Sequence, residues 1–461
     1  NAKTATITGL KANLVATTLA SALTVALVDA ADNGIAITTG THTTTLNGSV
    51  AGDTITVTAT ALEDNKLLTT AGAGNFTITG LKGDLTNTAT GAAINVTLAD
   101  NTDGTYTVNS TTAITVNNGT AQDNDVITLD GTGNKTVTGL VADLTLAAGN
   151  TGTTTVTTGD ASLSITANAA AGNLSVDGTA LDQDKTLTLA GGANAKTATI
   201  TGLKADLVAT TLASALTVAL VDAADNGIAI TTGTHTTTIN GSVAGDTITV
   251  NATALDESKV LTTAGDGNFT ITGLQGDLTN TATGAISVTL ANNGDTNYTV
   301  NSTTAITIAN GTAQDNDTIT LQGAGNKTVT GLVADLTLWS SNTGTTTVTT
   351  GDASLTITAD LAAGALTVNS AALAQDKTLT LTGGANTTTA TINALKASLV
   401  ATGLRSVLTV DLTDDTTDNA IAITTGTNTT TLNNSAAGDT ITVNANAMED
   451  GKLLSIAGAG G

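Results

Sequence analysis

The chain repeats itself, and this limits the folds open to it more than any other feature. NAKTATITGLKANLVATTLASALTV at Asn1 returns as NAKTATITGLKADLVATTLASALTV at Asn194, and more loosely as NTTTATINALKASLVATGLRSVLTV at Asn386. A period of about 193 residues defines long repeats 1–193 and 194–385 and a partial third, 386–461, with no linker between them. Such a chain is built by stacking like units, so its purpose is expected in length and surface, not in one cleft.

Shorter units lie inside the long ones. A Gly-Asn or Ala-Asn start, alternating Thr and apolar residues and a Gly-Leu-x-x-Asp-Leu-like element recur at Asn75, Asn134, Asn268 and Asn326 as well as at the long-repeat starts. The intervals are roughly 58 to 74 residues, and the stretch from Asn134 divides again into lines of about 20. Alternation over four to six residues predicts strands, and the Gly, Asn and Asp breaks between them supply turns. Coils of about 20 residues predict an all-β fold, an elongated parallel β-solenoid or β-helix.

The rival is a string of immunoglobulin-like sandwiches. Sandwiches fill a gap of roughly 10 Å with large side chains and use proline freely at edges. This chain has one Trp, two Phe, two Tyr and no Pro. A narrow solenoid bore can be filled by stacked Val, Ile, Leu, Ala and Thr, and proline would interrupt its inter-coil ladder. About 23 coils, each advancing ~4.8 Å, would make a rod on the order of 110 Å long.

The net charge of −24, from 38 acidic and 14 basic residues, argues against nucleic acid and anionic lipid as partners. No apolar run approaches the roughly 18 residues of a membrane span, so membrane insertion is not expected. The chain begins and ends in mid-repeat without a polar cap. It therefore reads as an excerpt of a longer array, or as a unit meeting its neighbour end to end.

The blocks VTGLVADLTL, TTVTTGDASLSITA and KTLTLAGGA resemble the β-strand-repeat regions of giant bacterial cell-surface and type I secreted proteins, adhesins among them. The resemblance implies an extracellular stalk, fibre or coat at the bacterial surface. It supplies no catalytic residues. Many such relatives carry tandem calcium-binding nonapeptides, whereas Ala51–Val57 and Asp130–Val137 depart from that pattern in their second glycine or their aspartate.

Catalysis finds few candidates. His42 and His235 occupy equivalent places in two THTTT strings, with Asn428 in the third copy, which predicts solvent-facing turn residues. Arg405 is the single arginine. We therefore read the chain as non-enzymatic and as needing no organic cofactor.

Calcium is the one ligand with a sequence argument. Asp123 and Asp125 in AQDNDVITLDG recur as Asp315 and Asp317 in AQDNDTITLQG, and alternating carboxylates beside turn carbonyls suit that ion. The alternative is that these aspartates cap turns. Asp414, Asp415 and Asp418 form a further acidic cluster.

Comparison between copies separates wall from surface. The acidic position of Leu-x-x-Asp-Leu holds Asp84, Asp143, Asp206, Asp277 and Asp335 but also Asn13 and Ser398, so it requires a short polar acceptor and not a charge. Trp339 replaces Ala147, an exchange that only an outward position tolerates. Threonine, roughly one residue in four, raises ice binding as a remote alternative. TTTVTT at Thr153 and Thr345 recurs only once per long repeat, whereas an ice plane needs Thr-x-Thr in coil after coil. The expected function is that of a self-associating fibre or surface coat, end to end or lateral, with the stalk of an adhesin as the alternative.

Overall fold

The structure, a computed structural model, describes all residues except 1–2, 29–33, 49–50, 92, 103, 194–195, 223–226, 242–243, 293, 295–296, 386–387, 414–419, 435–439 and 459–461. The repeat starts Asn1, Asn194 and Asn386 and the cluster Asp414, Asp415 and Asp418 lie outside the described residues.

Alternation in the sequence becomes alternation across a wall. In the strand Thr54–Thr58, Ile55 and Val57 point inward and are buried, while Thr54 and Thr56 face out. The next strand of the same stack, Asn75–Leu81, pairs with it in parallel and in register, Ile55 on Phe76 and Val57 on Ile78. Apolar side chains therefore pile on apolar ones, each worth about 1.5–3 kcal/mol on burial. Every backbone amide in the run finds a partner one coil away, a ladder that proline would interrupt.

The chain forms two compact units, 1–235 and 236–461. Within each, successive strands alternate between two parallel stacks, and each strand pairs with the strand two further along. One coil is thus two strands and two turns. The fold is an all-β parallel β-solenoid of about 20 coils and about 21 residues per turn, with no helix among the described residues. Individual coils run from about 17 residues, as Leu68 to Leu85, to about 24, as Thr44 to Leu68.

The long repeat does not contain a whole number of coils. In the first unit Thr4–Leu10 is the first strand and its copy Thr197–Leu203 the twentieth, so one repeat spans nineteen strands. An odd number moves the copy to the other stack. Thr4–Leu10 pairs with Ala22–Leu27 in one, and Thr197–Leu203 with Leu174–Asp177 in the other. The second unit does the same with Thr237–Gly241 and its copy Thr430–Asn434.

The bore is less uniform than a lining of small aliphatics. Phe76, Tyr106, Phe269 and Tyr298 are all inside and at most 1% exposed. Gly241 lies beside one of these rings, where an added Cβ would meet Phe269 Cζ at an ordinary 3.4 Å but crowd Ile248 Cδ1 at 2.8 Å. Trp339 is 52% exposed, as its exchange with Ala147 requires.

The Thr-Gly-Leu of each unit is a bulge. Gly80 adopts φ +70°, and the pairing steps from Thr79 to Leu81 opposite Thr97 and Leu98, which turns Leu81 inward. Gly139 and Gly273 do likewise at +65° and +68°. The third copy has Ala394 there, at +56°, the one non-glycine residue with positive φ among the described residues. A Cβ in this region costs about 1–2 kcal/mol, partly offset in Ala394→Gly by the freer unfolded chain. Ala394→Gly is expected to raise stability by about 0.5 kcal/mol in urea denaturation. Gly139→Ala, whose added Cβ meets nothing within 4 Å, should lower it by about 1 kcal/mol.

Candidate functional site

The two signature elements of the sequence perform one task. At the start of a strand the amide of the next coil lacks a backbone carbonyl, and a short side chain accepts it instead. Asn75 Oδ1 takes Ala93 N at 3.0 Å, Asn134 takes Thr153 N at 3.0 Å, and Asn268 and Asn326 repeat this at 2.8 and 3.0 Å. The Leu-x-x-Asp-Leu aspartates do the same from the other stack: Asp84 to Thr107 N at 2.8 Å, Asp143 to Ser164 N at 2.7 Å, Asp277 to Thr299 N at 2.7 Å. Asn13 accepts Ala36 N at 2.8 Å without a charge, so the position needs an acceptor.

Inside the corner runs a polar ladder that the sequence reading missed. Asn87 is fully buried. Its Oδ1 accepts Thr70 Oγ1 at 2.7 Å from the coil before and Ala89 N at 3.2 Å. Its Nδ2 donates to Ser110 Oγ at 2.8 Å and Thr112 Oγ1 at 2.9 Å in the coil after. One amide thus ties three coils. Asn280 makes the same set with Thr263, Ser302 and Thr304 in the second unit.

The ladder continues to a buried lysine. Lys135 is 1% exposed, and its Nζ donates to three carbonyls, Ser110 O at 3.1 Å, Gly131 O at 2.9 Å and Gly133 O at 2.5 Å. Lys327 is held by Ser302, Gly323 and Gly325 at 3.0, 2.9 and 2.5 Å. Loss of water pulls each ammonium down to about 8 from 10.5, and Asp130 works against that shift at Lys135. The carbonyls fill all three donor positions of an ammonium. The signal was present in KTVTGL, where Lys135 shares the inward phase of Val137.

The aspartates expected to hold calcium divide between interior and surface. Asp125 is buried, and its Oδ2 accepts Gln122 N at 2.8 Å and Tyr106 Oη at 3.3 Å. Burial and the Asp125 carboxylate push the Tyr106 phenol above its ordinary range. Asp317 is also buried and accepts Gln314 N at 2.6 Å. Asp123 and Asp315 are exposed. The inward member of each pair is thus committed to capping its own turn. Among the described residues, no three His, Cys, Asp or Glu gather where a metal could be held. His42 and His235 are half-buried, each with its Nδ1 within 2.9 Å of the preceding threonine hydroxyl.

The outer wall carries the second feature that the sequence did not disclose. In the second unit, pairing links Thr249, Thr270, Ser287, Thr307, Thr328, Thr347, Thr367, Thr391, Thr409, Thr431 and Ser455 in one column. All eleven rungs present a hydroxyl outward. In the first unit the corresponding column, Thr56 to Thr217, holds hydroxyls in eight of nine rungs, with Asn95 as the exception. Read onward from the second unit's column, only the rungs at Thr270, Ser287, Thr328 and Thr347 are Thr-x-Thr or Ser-x-Thr, so Thr-x-Thr itself does not recur in coil after coil; what recurs is a single hydroxyl per rung. In order these rungs read TVN, TIT, SVT, TIA, TVT, TVT, TVN, TIN, TVD, TLN and SIA, and only pairing shows that their first residues align.

The other stack of the second unit serves as an internal control. Its longest hydroxyl column among the described residues is five rungs, Thr299, Thr320, Thr337, Thr358 and Thr382, and then Gly403 breaks it. Comparison with protein-family models, with curated proteins and with solved structures yields no match.

Proposed function

We propose that the chain is a non-enzymatic structural repeat region of a large bacterial extracellular surface protein, which assembles with itself into a fibre or coat. The observation that supports this reading is the solenoid itself: a scaffold whose coils each bind only their neighbours, with polar ties inside and threonine outside. Freedom from cysteine and a strongly acidic, soluble surface suit an extracellular setting.

Electron microscopy and sedimentation of the purified chain test the proposal. Ordered filaments or sheets that grow with concentration support it. A monodisperse monomer at high concentration counts against assembly and favours a rigid adhesin stalk.

A further inference from the structure

We propose that the hydroxyl column from Thr249 to Ser455 is a binding face for crystalline water, so that this solenoid adheres to ice. The inference is independent of whether the chain assembles into a fibre.

The column is regular where regularity is hard to keep. Coils on this stack vary from about 17 residues, Thr270 to Ser287, to about 24, Thr367 to Thr391, yet a hydroxyl returns on every rung. Strand propensity alone does not explain this, because the strands of the opposite stack are also rich in threonine and its column breaks after five rungs. The rungs stand ~4.8 Å apart, and the residues two places along each strand add a second row ~6.6 Å away. That second row carries hydroxyls only at Thr272, Thr289, Thr330 and Thr349 and is otherwise Asn, Ala or Asp411, so the regular array is the single column.

The face is also neutral in a chain of net charge −24. No residue of the column is charged, and the second row contains one charge, Asp411, whose Oδ1 accepts Asn433 Nδ2 at 2.6 Å. Among the described residues the hydroxyls of the column donate to no protein acceptor, so they are available to an outside partner. A neutral, periodic array matches a neutral, periodic partner. Crystalline polysaccharide would favour aromatic platforms, but the four Phe and Tyr rings are buried and the exposed Trp339 follows a strand of the opposite stack.

Energetics favours a crystal over a soluble ligand. One hydroxyl gains almost nothing by exchanging one water for another. Eleven fixed in register gain together, because the first contact sets the rest at little further entropic cost. Threonine suits this task better than serine, since its branched Cβ holds χ1 and places hydroxyl and methyl in fixed alternation.

The test grows an ice crystal slowly in a solution of the full chain and measures the fraction incorporated, together with crystal shape. The wild type should enter the ice and facet it. Thr328→Tyr with Thr347→Tyr, mid-column and outward, should reduce incorporation by about ten-fold or more with an unchanged circular dichroism spectrum. Thr337→Tyr on the opposite stack should leave it unchanged. Exclusion of the folded wild type from ice overturns the proposal, as does an equal loss from Thr337→Tyr. A dimer that the column variants abolish would also overturn it, since the occupant would then be a second copy of this chain.

Discussion

Raising the pH from 7 to 10 is expected to stabilise the folded chain, against the usual trend for alkaline conditions. Lys135 and Lys327 lose their proton at about 8 when folded and at about 10.5 when exposed. Below pH 8 both states are protonated, and the unfavourable contribution of the desolvated ammonium is constant. Between 8 and 10.5 the unfolded chain still binds a proton that the folded chain has released, so stability rises with pH. By pH 10 the gain amounts to about 3 kcal/mol for each lysine. The neutral amine keeps two N–H donors for its three carbonyls, so the cage remains largely satisfied.

Other groups bound the window. The Tyr106 phenol stays neutral in the fold after it would have ionised in the unfolded chain, so above pH 10 its contribution runs the other way. Lys185 and Lys377 are raised by their partners Asp184 and Asp376, but these exposed pairs contribute little. The measurement is the guanidinium midpoint at pH 7 and 10. Lys135→Met with Lys327→Met should flatten the profile. A wild type whose midpoint does not move, or a double variant that keeps the rise, would remove the lysines as its source.

Much of this architecture was legible because the physics is local. Alternation gave the strands, absence of proline gave the continuous ladder, and the exchange of Asp for Asn at position 13 identified an acceptor without seeing Ala36. Trp339 was placed outside on volume alone. What was not legible depends on pairing. Nothing in the sequence states that Thr270 stands under Ser287, seventeen residues on, or that Thr367 stands under Thr391. Uneven coils hide the column from any fixed period. The nineteen-strand repeat hides it further, since equivalent strings fall in opposite stacks. Lys135 was overlooked for another reason: lysine is read as surface by default, and its cage of carbonyls comes from turns at Gly131 and Gly133 and from Ser110 a coil below.

Asn87→Ala is expected to be the most damaging single truncation of a polar residue in the first unit. It would leave the Thr70 hydroxyl and the Ala89 amide without their acceptor and remove the donor that ties Ser110 and Thr112. Each buried group so orphaned costs about 1–3 kcal/mol, which predicts a total of about 4 kcal/mol. Asp143→Ala, by contrast, exposes one half-buried amide and should cost about 1 kcal/mol, and Asp143→Asn almost nothing. Asn87→Asp separates geometry from charge, because a carboxylate has the right shape but no donor for Ser110 and Thr112. It should be destabilised at pH 7 and recover in part on acidification, when the protonated acid regains one donor. Since coils couple mainly to their neighbours, the damage is local. Hydrogen exchange should lose protection in Leu67–Gly72, Asp84–Asn87 and Thr105–Ser110 while strands several coils away retain theirs. Asn280→Ala gives an independent repeat of the experiment, and wild-type protection in both variants would mean that the inner ladder is ornament on a stack held by its apolar core.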